Sequence, residues 1–213
     1  MQVALTFDAE HPDRPHRPGV QEEMLEVLRG RDVRATFFVQ GRWVEAFPET
    51  ARRVVADGHL VGSHSFYHAR LPLLTDEGLA SDTRDAERAI RDIAGVDPRP
   101  WFRCPFFAGE EDPRIVRTLG DLGYTVVPAD VVLDDWDPER GSAEIAVDAV
   151  QGCAMVGDGA IVLLHTWPPH ALEALPAIID GLRAAGASFV DVSALPPSRW
   201  TAIPALVAGG IAE

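Results

Sequence analysis

Two carboxylates stand two positions apart near the start of the chain, Asp8 and Glu10 in LTFDAEHP, and two histidines stand four apart in GSHSFYH, His64 and His68. On a helical turn the second spacing brings both imidazoles to one side, where a single divalent ion can take both. Such a pair is common and says little alone. A carboxylate from elsewhere completes the ligand set of hydrolytic zinc sites, two histidines and one acid with a position left for water. Side chains at i and i+2 of an extended strand face one side, so Asp8 and Glu10 can both lean into a pocket while Ala9 turns away. One acid can then bind the ion and the other can take a proton from water. The competing reading is a solvated loop, with His11, Asp13, Arg14 and His16 around both acids.

Three further places carry chemistry. His165 closes the apolar run AIVLLH. An acid against one ring nitrogen would raise its protonated fraction and make it a usable general acid. Asp135, in LDDWDPE beside Asp134 and Trp136, is the candidate. Without that partner His165 is a hydrogen-bonded core residue and the acidic run is a surface loop. Arg103, in WFRCPF, calls for a carboxylate if buried. Keeping Asp8 ionised is a functional use for it; a structural ion pair is the plain alternative.

These residues need elements to position them. Short apolar runs predict strands at 2–7, 33–39, 60–62, 100–103, 124–128, 160–164 and 188–192. Between them lie helical patterns. Met24, Leu25 and Leu28 share one face, Pro48 suits a first helical turn, and Thr75 and Gly95 bracket a long helix as cap and stop. Strand and helix alternating about seven times predict an α/β fold with a parallel sheet, either open and doubly wound or closed as a barrel. In both, functional residues collect past the C-terminal ends of strands. Asp8 and Glu10 follow the first predicted strand, His64 and His68 the third, Arg103 the fourth, Asp135 the fifth and His165 the sixth.

The chain has 213 residues, which suits one domain over 1–213 with a tail over about 197–213 beyond the last strand. Acidic residues outnumber basic ones 33 to 19, a formal charge of −14, which argues against nucleic acid as a partner. No apolar run approaches the ~20 residues of a membrane span. MQVALTF reads as a strand rather than a leader, so the expectation is a cytoplasmic protein, or a secreted one whose leader has been removed. Cys104 and Cys153 lack CxxC spacing and are expected as free thiols. Oligomeric state is left open.

Taken together, LTFDAE, the run from Ala35 to His68, FRCPF, LDDWD and IVLLHTW resemble the polysaccharide deacetylase superfamily, also called the NodB-homology group or carbohydrate esterase family 4. The matching pieces occur in the family's order across roughly residues 3 to 193. The resemblance implies a distorted (β/α) barrel of about seven parallel strands. It also implies one divalent metal, zinc before cobalt, nickel or manganese, and hydrolysis of an N-acyl group on an amino sugar. By that match Asp8 is the catalytic base, His64 and His68 are metal ligands, and Arg103 positions the base. His165 is the general acid, Asp135 tunes it, Trp136 walls the groove, and the Phe106 N–H faces the oxyanion. The family's usual second Asp is Ala9 here, so Glu10 takes the place of the metal carboxylate, as an acid two residues after the base does in some branches. Cys104 and Phe107 replace the usual Pro and Gly, and Asp134 is an extra acid that could face His165 in place of Asp135. The sequence leaves two other readings open: a hydrolase of small amides, cyclic imides or ureides with the same site, and a glycan-binding protein that has lost its metal.

Overall fold

The structure, a computed structural model, describes residues 1–14 and 17–196. Its strands all pair in parallel: β1 (Gln2–Ala9), β2 (Thr36–Val39), β3 (Leu60–Ser63), β4 (Trp101–Phe102), β5 (Thr125–Val126), β6 (Val131–Val132), β7 (Ala160–His165) and β8 (Ser188–Phe189). Seven of them run in the order β5-β4-β3-β2-β1-β7-β6, and no described pairing joins β5 to β6. The sheet is thus a curled half-barrel wrapped by helices, the distorted (β/α) barrel expected from the sequence. β8 pairs with Gln2 and Val3 of β1, below the point where β2 begins at Thr6.

The helices are α1 (Val20–Gly30), α2 (Gly41–Ala46), α3 (Pro48–Ala56), α4 (Asp76–Ala94), α5 (Pro113–Asp121), α6 (Ser142–Val156) and α7 (Pro169–Ala184). α1 buries Met24, Leu25 and Leu28 together. α4 starts where the Thr75 hydroxyl accepts the Gly78 N–H at 3.1 Å and stops at left-handed Gly95, as the cap and stop residues predict. The main core lies between β1, β2 and β7 and the helices α1, α6 and α7. Phe7 and Phe37, paired across β1 and β2, stack with ring centroids 4.9 Å apart. Truncating Phe7 to alanine would cost about 3–5 kcal/mol through the lost burial and the cavity.

Two expectations need correction. β6 was not foreseen, because two residues are too few to show a period, and it moves Asp135 and Trp136 to the end of β6 rather than of β5. The helical turn α2 was likewise hidden, as its six residues hold fewer than two periods. The predicted tail over 197–213 lies outside the described residues. Cys104 and Cys153 are free and buried.

Sheet register explains how distant residues meet. Ala9 pairs with Val39, Val39 with Ser63, and Ser63 with Phe102. The residues one step further along those strands are Glu10, Gln40, His64 and Arg103, a row across the C-terminal rim. On the other side of β1, Asp8 pairs with His165.

Candidate active site

The rim opens on a pocket lined by Asp8, Glu10, His64, His68 and His165, with aromatic walls. Ala9 packs into the main core while Asp8 and Glu10, both almost fully buried, face the pocket. The alternation along the strand therefore sends both acids inward, and the solvated-loop reading does not hold.

Glu10 is the centre. Its Oε2 lies 3.4 Å from His64 Nε2 and in contact with His68 Nε2, and the two imidazole nitrogens are 3.1 Å apart. His64 Nδ1 sits 2.9 Å from the Arg103 carbonyl. A carbonyl can only accept, so Nδ1 carries the proton and Nε2 offers its lone pair. Ligands at the ~2.0–2.1 Å of a tetrahedral zinc would be about 3.3 Å apart. The donor types suit a divalent ion, and the separations of His64 Nε2 from Glu10 Oε2 and from His68 Nε2, 3.4 and 3.1 Å, match that spacing, while His68 and Glu10 stand closer together. A second trio, Glu10, His11 and His68, also brings ligand atoms within 4.8 Å of one another.

The histidine pair does not converge on a helical turn, as the spacing alone suggests. His64 follows β3 directly, and the chain reverses through left-handed Ser65 (φ 62°) and His68 (φ 58°). Asp82 on α4 accepts the Phe66 and Tyr67 N–H groups at 2.9 and 3.0 Å, and the Ser65 hydroxyl oxygen accepts the His68 N–H at 2.9 Å. Gly41 donates its N–H to the Ser65 carbonyl at 2.9 Å, and a Cβ there would lie 2.3 Å from the Phe66 ring. Asp82, Ser65 and Gly41 were not legible as site residues, because their work is done through backbone groups. Left-handed backbone at a non-glycine residue is uncommon and costs of order 1–3 kcal/mol. It occurs at His11, Ser65, His68, Phe106, Phe107 and Asp134, all around this rim, and otherwise at Asp32 among the described residues.

Arg103 is fully buried and reaches Asp8 Oδ1 at 3.0 Å. It also donates to the Thr6 hydroxyl at 2.7 Å and the Pro128 carbonyl at 3.2 Å, and lies over the Phe38 ring. Its carbonyl fixes His64 while its guanidinium fixes Asp8, so one residue sets two groups. Asp8 Oδ2 lies 3.5 Å from His64 Nε2.

At the end of β7, His165 Nδ1 lies 2.6 Å from Asp135 Oδ1, and its backbone N–H donates to Asp135 Oδ2 at 2.7 Å. Asp134 is exposed with φ 50°, so Asp135 is the acid against His165. Burial opposes charge on this ring, but Asp135, followed by Glu10 and Asp8, outweighs it and raises the pKa to about 9. At Glu10 burial pushes the carboxyl up, while His11, His64 and His68 hold it well below the carboxylate range. Burial lowers His68; at His64 the carboxylates of Asp8 and Glu10 win over burial and raise it.

The remaining predicted residues stand on the walls. The Trp136 ring meets His165 edge-on, centroids 5.2 Å apart, and is 41% exposed. Phe106 covers His68 at 4.5 Å. The amides of Phe107 and Ala108 close the turn on the Cys104 and Pro105 carbonyls, whereas none of the described backbone hydrogen bonds comes from the Phe106 N–H. His11 and Trp167 complete the set around Glu10. Neither was singled out from the sequence; for His11 the one signal was a histidine directly after the acid.

The profile of the polysaccharide deacetylase family matches residues 1–127. The chain belongs to that family. A chitin deacetylase of Colletotrichum lindemuthianum is 35% identical over 93% of this chain and 82% of that protein. A peptidoglycan-N-acetylglucosamine deacetylase of Bacillus cereus is 28% identical over 91% of this chain and 68% of that protein. Among solved structures, a family 4 acetyl xylan esterase from Clostridium thermocellum in complex with a cobalt ion superposes with a TM-score of 0.77 at 28% identity, covering 91% of this chain and 89% of that one. The described residues include no helix long and apolar enough to cross a membrane.

Proposed function

We propose that this chain is a metal-dependent hydrolase that removes the N-acetyl group from an amino sugar or its oligomer. Glu10, His64 and His68 would hold one divalent ion, and their nitrogen and oxygen donors suit zinc, with cobalt the ion in a related structure. An ion held there would supply Lewis acidity, lowering the pKa of water towards ~7 and polarising the amide carbonyl. Asp8, held by Arg103, takes a proton from the attacking water. The Phe106 N–H donates to the oxygen that gains charge, a contribution of roughly 3 kcal/mol for one such donor. His165, charged against Asp135, gives its proton to the departing nitrogen as the C–N bond breaks, leaving acetate and a free amine. Trp136 offers a flat apolar face beside His165 for a sugar ring.

One observation carries this reading. Two proton-transfer groups flank a single carboxylate–imidazole trio: Asp8 Oδ2 is 3.5 Å from His64 Nε2, and His165 Nε2 is 3.8 Å from Glu10 Oε1. A glycan-binding protein without catalysis has no use for a buried base and a buried acid so placed. The names of the curated relatives support the sugar amide as substrate. The test is acetate release from N-acetylglucosamine oligomers before and after chelation. Activity is expected to vanish on chelation, return with zinc, and be absent in His64→Ala. Full activity without metal, or in His64→Ala, defeats the mechanism. Turnover of cyclic imides or ureides but of no acetylated sugar would reassign the substrate and keep the chemistry.

A further inference from the structure

Glu10 has two oxygens, and the structure treats them differently. Oε2 faces His64 and His68. Oε1 lies 3.2 Å from His11 Nε2 and accepts the Trp167 indole N–H at 3.4 Å. We propose that His11 and Trp167 form a clamp on Oε1 that leaves Oε2 as the metal-binding oxygen of Glu10, so that both are positioning residues for the ion. This rests on the metal-site reading above.

The indole decides between two roles for His11. His11 could itself be an ion ligand, since its ligand atom groups with those of Glu10 and His68. An indole N–H can only donate and cannot bind a cation through that nitrogen. It points at the same oxygen as His11, which marks Oε1 as a hydrogen-bonded oxygen rather than a metal-facing one. His11 Nε2 on that oxygen is then a second donor.

The clamp is built into the fold. Left-handed backbone at His11 (φ 53°) turns the chain back directly after Glu10, and the His11 N–H is held by the buried Gln40 side chain at 2.9 Å. Gln40 belongs to the same rim row as Glu10 and His64. Trp167 stands two residues past β7, with the Arg14 guanidinium 4.0 Å from its ring centroid. The His11 ring also packs edge-on against His68, centroids 4.5 Å apart. Glutamate has one more rotatable bond than aspartate, so a metal carboxylate at this position gains more from being fixed by outer hydrogen bonds.

The experiment measures zinc affinity of the full chain by competition with a chromophoric chelator, with the melting temperature of the metal-free protein as a fold control. Trp167→Phe keeps an aromatic ring, a smaller one, and loses the N–H. His11→Ala loses the donor, and His11→Gln retains an N–H. Trp167→Phe and His11→Ala should each weaken zinc binding about 10- to 100-fold, with unchanged metal-free melting, and His11→Gln should recover most of the loss. Wild-type affinity in both Trp167→Phe and His11→Ala overturns the clamp. So does a His11→Gln protein as weak as His11→Ala, which would make the imidazole a ligand. His64→Ala separates the levels: it should abolish binding, and if it bound zinc like the wild type the metal site itself would fall, and the clamp with it.

Discussion

Two buried histidines mark opposite ends of the same sheet. His59 sits just before β3, at the N-terminal end of the strands, and is 7% exposed; His165 ends β7, on the opposite rim, and is 8% exposed. Burial works against charge on both. At His59 burial wins and the pKa falls to about 4; at His165 the carboxylates win and it rises to about 9. The difference lies in the partners. His59 Nδ1 accepts the Ala35 N–H at 3.1 Å, which requires the neutral ring there, whereas His165 Nδ1 meets a carboxylate. Equal burial therefore says nothing about role. A structural histidine is matched to a donor that keeps it neutral, and a histidine fit for proton transfer is matched to an acceptor that keeps it charged.

Mutations can break that contrast, the largest effects coming from the C-terminal rim. Asp8→Asn and His165→Ala should each lower kcat by about 10²–10⁴-fold in the acetate-release assay, with the fold retained by circular dichroism, while His59→Gln keeps kcat. Arg103→Met tests a residue that serves both ends of the argument. It leaves the buried Asp8 without its partner and should cost about 3–5 kcal/mol in denaturant unfolding, as well as activity. A loss of activity with no loss of stability would show that the Asp8 pair is purely functional.

Asp135→Asn removes the charge that holds the proton on His165. The pKa of the acid then falls, so the alkaline limb of kcat/KM should move to lower pH, by about 1–3 units if the carboxylate is the main cause. An unmoved limb would assign the general acid elsewhere. His59 gives the smallest effect and the opposite kind. Its folded pKa lies below the ordinary 6.5, so its contribution is complete above pH 6.5 and is lost as pH falls towards 4. Acid should thus remove up to about 3 kcal/mol of stability over that window, and His59→Gln should flatten that part of the pH–stability curve.

Much of the rim is legible in the sequence. Asp8, Glu10, His64, Arg103 and His165 sit at strand ends, and a period of two along β1 is enough to send Asp8 and Glu10 one way and Ala9 the other. The parallel sheet followed from continuous apolar runs separated by capped helices. What stayed hidden has a common cause. Asp82 and Gly41 act on the backbone of the His64–His68 loop from across the fold, and backbone hydrogen bonds between distant segments leave no residue-type signature. His11 and Trp167 needed knowledge of which oxygen of Glu10 each would reach.

The sequence by itself determined which groups are available and on which rim they gather, because strand alternation and the position of a strand's end are local properties of the chain. Tertiary structure alone decided that Asp135 rather than Asp134 meets His165, that the histidine pair closes through left-handed loop residues, and that the two oxygens of Glu10 have different partners. Those choices depend on sheet register and on backbone angles set by packing among segments as far apart as residues 10 and 167, and distances of a few ångströms across such a span are not local properties of any stretch of chain.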